Sequence, residues 1–157
     1  MSNPVLPLRA AYDHTGFVSR DIEASVAFWS NAFGLKATAP VERGAPWVAE
    51  MTGVSGARLR IVHLTAPGIH LEFIYFVTPR GDAVPPAPTA QAAGHVCLRV
   101  PDVAAAQVRL LLAGGAAEGQ VATITEGALA GRRGTYLRDP DGVLIELLED
   151  PAAGART

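Results

Sequence analysis

The sequence predicts an α+β fold of two βαβββ modules, and three observations support it. His14-Thr-Gly-Phe-Val-Ser-Arg-Asp21 aligns without a gap on His95-Val-Cys-Leu-Arg-Val-Pro-Asp102, at an offset of 81 residues. Ile69-His-Leu-Glu72 aligns on Val143-Leu-Ile-Glu146, at an offset of 74. Both halves therefore run in the order His, apolar strand, Asp, helix and finally a strand bearing Glu, which argues for internal duplication. The modules span residues 10–79 and 95–150 of a single domain, joined by a linker at 80–94.

The elements follow in order. After a loose start containing prolines, residues 10–18 read as a strand. Asp21 is an N-cap, and Ile22, Val26, Phe28, Trp29 and Phe33 form an apolar stripe that Gly34 stops. A variable stretch from Leu35 to Gly56 contains a short helix or lid at Trp47–Thr52. Strands are expected at 57–64 and 69–77, separated by the Ala66-Pro-Gly68 turn. Four prolines between Thr78 and Gly94 mark the linker. The second module opens with a strand at 95–100, followed by a helix from Asp102 to the Gly114-Gly115 stop. Asp139-Pro-Asp-Gly142 is a tight turn that aims the last strand, and Asp139 and Asp141 are given no chemistry. Arg132-Arg133, between Gly131 and Gly134, reads as a solvated loop within reach of an anionic substrate tail.

Bulk composition narrows the class. With 49% hydrophobic and 18% charged residues, the chain has a substantial core to bury. A net charge of −2 gives no electrostatic case for nucleic acid or an anionic membrane. Gln107 and Arg109 interrupt the best apolar run, so no membrane span is expected. The N-terminus lacks the basic-then-apolar layout of a signal peptide, and the single Cys97 excludes an intrachain disulfide. A cytoplasmic protein is the expectation.

Strand alternation puts the chemistry on one face. Glu146 shares its side with Leu144 and Leu148, His95 with Cys97 and Arg99, and Glu72 with His70 and Ile74. A carboxylate in an apolar strand needs compensation, and two imidazoles with two carboxylates suit one divalent ion: Zn, Ni, Co, Mn or Fe. Such a cation holds both acids ionised. His63 and His70 are read as structural or surface residues; His70 is in phase with Glu72 and so a candidate to line the cleft, without a repeat partner. Trp47, Met51, Cys97 and His70 are the substrate-binding candidates, with core packing the alternative for the first three.

These motifs resemble the vicinal oxygen chelate superfamily. The carriers are His14 before Asp21-Ile-Glu-Ala-Ser-Val-Ala-Phe-Trp29, His95 before Asp102, and Asp139-Pro-Asp-Gly-Val-Leu-Ile-Glu146. That group includes glyoxalase I, methylmalonyl-CoA epimerase, extradiol dioxygenases and the fosfomycin- and bleomycin-resistance proteins. The resemblance implies an open, curved barrel of mixed sheet with helices outside, and metal ligands at His14, Glu72, His95 and Glu146. It also implies a homodimer, with modules pairing within or between chains. Four ligands leave two sites on an octahedral ion for vicinal oxygens of a small-molecule substrate, stabilising an enolate or enediolate in a glyoxalase-like isomerase, epimerase or lyase. Glu146 or Glu72 moves the proton, and the residues alone rank neither. An Fe(II) extradiol dioxygenase and a non-catalytic drug-binding protein are the alternatives.

Overall fold

The structure, a computed structural model, describes residues 10–81 and 84–155; the loose start at 1–9 lies outside them. Module one comprises β1 (Thr15–Val18), α1 (Ile22–Phe33), β2 (Lys36–Ala37), β3 (Val41–Arg43), α2 (Pro46–Thr52), β4 (Arg58–Ala66) and β5 (Ile69–Thr78). Module two comprises β6 (His95–Val100), α3 (Val103–Leu112), β7 (Ala116–Ala117), β8 (Ala122–Thr123), β9 (Arg133–Arg138) and β10 (Leu144–Glu149). The expected α+β class holds. Each module forms one mixed five-stranded sheet, in the orders β1-β5-β4-β2 and β6-β10-β9-β7. In both, the position expected for one strand is split, with β3 also pairing β4 and β8 also pairing β9. Pro40 lies between β2 and β3, where its missing N–H breaks the ladder.

The helices start and stop as their caps dictate. Asp21 accepts the Ala24 amide at 3.0 Å and Asp102 accepts the Ala105 amide at 3.1 Å. Gly34 ends α1 at φ 70°, a left-handed conformation that costs glycine little. The first strand is shorter than the expected 10–18, because only Thr15–Val18 pair with β5. Arg133 is not in a loop. It opens β9 and its guanidinium is held by Glu149 and Asp102.

Both modules bury one face of their sheet in a common core. Phe28, Trp29, Leu64 and Phe73 of module one meet Val103, Leu137, Ile145 and Leu147 of module two in a single cluster. The Asp139-Pro-Asp-Gly142 turn fastens this union. Asp139 caps its own turn through the Asp141 and Val143 amides and accepts the buried Trp29 indole N–H at 3.0 Å. Asp141 crosses to the start of α1, where it accepts from the Ser19 and Ser25 hydroxyls and from the Arg20 and Asp21 amides. The turn does more than aim a strand. It joins the modules.

The core consumes the helix-side face and leaves the other for chemistry. A second, smaller cluster lies on the opposite face of module one, where Val48 of α2 packs with Ala57 and Leu59 beside Ile61, Ile74 and Phe76. Ile61 and Ile74 are direct cross-strand partners, two pairs along from His63 and Glu72 and so on the same face. Trp47 and Met51 are exposed on this same short helix.

Candidate functional site

The repeat seen in the sequence is also a repeat of register. In module one the parallel β1–β5 pair sets Gly16 opposite Glu72; in module two the parallel β6–β10 pair sets Cys97 opposite Glu146. His14 and His95 each precede that cross-strand partner by two residues, so each imidazole returns to the same sheet face as its carboxylate. His14 Nε2 lies 3.2 Å from Glu72 Oε2, and His95 Nε2 lies 3.0 Å from Glu146 Oε2. Gly16 gives Glu72 its space, since a Cβ there would approach Oε2 to 3.3 Å. The four sequence-derived candidates thus form two dyads of one design. Among the described residues no three His, Cys, Asp or Glu side chains are grouped to hold an ion.

The surroundings of the dyads differ. Around His14, Asp13 Oδ1 contacts Nδ1 at 2.5 Å. This hydrogen bond raises the His14 pKa above its ordinary value, burial opposes the rise, and the charge of Glu72 adds to it. His63 Nε2 lies 3.7 Å from Glu72 Oε1, and His63 Nδ1 meets His70 Nε2 at 3.0 Å. His70 Nδ1 bonds the Asp13 carbonyl at 3.1 Å, closing a loop of five residues. His70 therefore joins this cluster, while Trp47 and Met51 are exposed on α2, outside it.

In module two Tyr136 is directly opposite Glu146. Its ring stands edge-on to His95, with centroids 5.4 Å apart and planes at 78°. His63 stands edge-on to His14 in the same way, at 5.6 Å and 81°. Burial and the neighbouring Glu146 carboxylate raise the Tyr136 phenol above its ordinary pKa, so it stays protonated and able to donate. Tyr136 was missed from sequence and His63 set aside because the ungapped offset does not align them. The hairpin before Glu146 is one residue longer: β9 and β10 pair Arg138 with Leu144, whereas β4 and β5 pair Thr65 with His70.

Cys97 shares the face of Glu146, in surroundings that disfavour its thiolate. Partial desolvation and the adjacent carboxylate push its thiol up to about 11. A disulfide reagent at pH 8 is therefore expected to modify Cys97 at least about tenfold more slowly than a free thiol, followed by absorbance. A rate matching free cysteine would contradict this environment.

Comparison with known proteins agrees with this architecture. The family model described as the Glyoxalase/Bleomycin resistance protein/Dioxygenase superfamily matches residues 11–147. A 2-epi-5-epi-valiolone epimerase from Actinomyces sp is 27% identical over 158 residues, covering 97% of this chain and 86% of that protein. A glyoxalase family protein from Bacillus cereus superposes with a TM-score of 0.77 at 22% identity, covering 91% of this chain and 95% of that one. A fosfomycin resistance protein from Listeria monocytogenes, complexed with Mn(II) and sulfate, superposes at 0.53 and 15% identity, covering 91% and 94%. With the family model spanning both modules and both dyads, this chain belongs to the glyoxalase/bleomycin resistance protein/dioxygenase superfamily.

Proposed function

We propose that the protein is a divalent-metal-dependent epimerase or isomerase that moves a proton at a carbon next to a carbonyl group. The observation that carries this reading is the duplicated His–Glu contact. Two ligands at right angles, each about 2.1 Å from an ion, stand about 3.0 Å apart. The dyads have Nε2-to-Oε2 separations of 3.2 and 3.0 Å, and their mixed N/O donors suit a transition ion. A bound cation would polarise a substrate oxygen and stabilise the negative charge that develops on it. His14, Glu72, His95 and Glu146 are the residues that would hold it. The contact of Glu72 with His14 supports this four-ligand set over the two-histidine, one-carboxylate plan of a dioxygenase.

The chain's own part in the chemistry is proton handling. A carboxylate oxygen of Glu72 or Glu146 takes the proton while the C–H electron pair moves towards the carbonyl oxygen. Inversion of the centre follows when the other carboxyl group, protonated, delivers its proton to the opposite face; return of the abstracted proton to the neighbouring carbon isomerises the substrate. Ile61, Ile74 and the Val48 side of α2 supply an apolar floor beside Glu72. Trp47 and Met51 extend it as substrate contacts. The likeness to a 2-epi-5-epi-valiolone epimerase along nearly the whole chain makes that compound the first to assay.

Each dyad lies at an open edge, since β1 and β6 end their sheets. The helix-side faces are already used in the intrachain core. A second copy of this chain therefore supplies the missing half of each four-ligand set, giving a homodimer whose sites combine β1–β5 of one chain with β6–β10 of the other. The deciding experiment is metal analysis of purified protein alongside epimerase assay after reconstitution with Co²⁺, Ni²⁺, Mn²⁺, Zn²⁺ or Fe²⁺. Specific uptake lost in His14→Ala and His95→Ala is expected. Uptake indifferent to both substitutions would sink the reading.

A further inference from the structure

Two ion networks stand at one end of the module-two sheet, on opposite faces, and their charges balance differently. On the helix side the Arg133 guanidinium donates to Glu149 and to Asp102, the cap of α3. One cation between two carboxylates is a closed set. The other face is the one that carries the dyad. Register and alternation put Arg99 in phase with His95 and Cys97 on β6, beside Leu148, the next residue in phase with Glu146. Asp150 and Arg132 continue the same rows past the ends of β10 and β9. The contacts agree: Arg99 Nη1 lies 3.4 Å from Asp150 Oδ2, and Arg132 Nη1 lies 3.9 Å from the same oxygen. Among the described residues, two guanidiniums therefore share one carboxylate. A surplus positive charge is left on the face of the dyad.

Asp150 is itself held in place, accepting the Ala152 amide at 3.2 Å and donating its own N–H to the Val100 carbonyl at 2.8 Å. It meets each arginine through Nη1 alone, and the Arg99 and Arg132 side chains are 64% and 39% exposed. The remaining N–H groups of two guanidinium forks match the oxygens of a carboxylate or phosphate. The fold does not require charge here, since the repeat offsets put Val18 and Phe76 at the places of Arg99 and Asp150 in module one. From Glu146, Arg99 is one in-phase step along the sheet, about 7 Å, and Asp150 is two, about 13 Å. We infer that Arg99 and Arg132 bind a carboxylate or phosphate group at the end of the substrate remote from Glu146. This step rests on the function proposed above and names its substrate class, a carbonyl compound with an anionic tail about 10 Å from the reacting carbon.

Two measurements test it. Arginine Nε–Hε signals of the metal-free protein, followed by ¹H–¹⁵N NMR at constant ionic strength, read the site without turnover. Inorganic phosphate and acetate, titrated separately, are expected to shift the Arg99 and Arg132 signals saturably and to leave that of Arg133 still. The anion that saturates at the lower concentration identifies the tail. Arg99→Gln and Arg132→Gln assign the signals, and each is expected to weaken binding at least about tenfold. No saturation with either anion, or equal shifts at Arg133, overturns the inference. The second measurement compares 2-epi-5-epi-valiolone with its phosphate ester and its succinate half-ester in the reconstituted enzyme. One of the two esters is expected to exceed the parent compound at least about tenfold in kcat/KM, a preference that Arg99→Gln with Arg132→Gln abolishes. Turnover of all three with equal kcat/KM overturns the tail assignment. Turnover of none, with phosphate or acetate still saturating the two arginine signals, overturns the functional reading and leaves the anion site standing.

Discussion

If the proposed dimer shares its sites between chains, an equimolar, reassorted mixture of Glu72→Gln and Glu146→Gln chains is expected to recover roughly one quarter of wild-type turnover, with each variant alone slowed at least about 100-fold. The single losses follow from the chemistry. An amide keeps the shape of the carboxylate but neither takes a proton nor balances a cation. Recovery follows from the edges. Where Glu72 of one chain meets Glu146 of the other, a mixed dimer has one site with both substitutions and one with none. Random pairing puts half of the dimers in that class, and half of their sites are intact. Chains carrying different tags, refolded together and assayed before and after isolation of the mixed species, provide the measurement. If the mixture stays as slow as its components while mixed dimers are present, the dyads act within one chain. The β1 and β6 edges then need another explanation.

Much of the architecture was legible because capping and alternation act locally. Asp21, Gly34 and Asp102 bound their helices through the amides and the φ value that their chemistry favours. His14, Glu72, His95 and Glu146 could be assigned to one face each because a strand repeats every two residues. What failed to show was whatever depends on register. Tyr136 stands opposite Glu146 only because one hairpin is a residue longer, and an ungapped repeat cannot display that. His63 had no repeat partner for the same reason, although it lies between Glu72 and His70. Asp139 and Asp141 were visible as turn formers, whereas their partners in module one lie more than a hundred residues earlier. Arg133 reads as a loop residue between glycines, and only its backbone pairing with Thr123 of β8 makes it the start of a strand.

Asp141→Ala is expected to lower folding stability by about 3 kcal/mol at pH 7, the second large effect. The carboxylate is almost inaccessible, at 3% side-chain exposure, and accepts from two hydroxyls and two backbone amides at the start of α1. Alanine strands those donors and leaves the helix terminus uncompensated. The pH dependence identifies the cause. Burial works to raise the Asp141 pKa, but hydrogen bonds from Ser19, Ser25 and the Asp21 and Arg20 amides outweigh it and hold the value below its ordinary 3.8. A depressed acid contributes stability above its unfolded pKa and loses it as pH falls through the folded one. The stability gap between wild type and Asp141→Asn should therefore be full above about pH 4 and shrink below it. Asp139 behaves oppositely: burial raises its pKa, so ionisation costs stability as pH rises through the folded value. Urea unfolding followed by tryptophan fluorescence, with Trp29 fully buried against this turn, measures both. A gap for Asp141→Asn that stays constant into strong acid would refute the clamp between the modules.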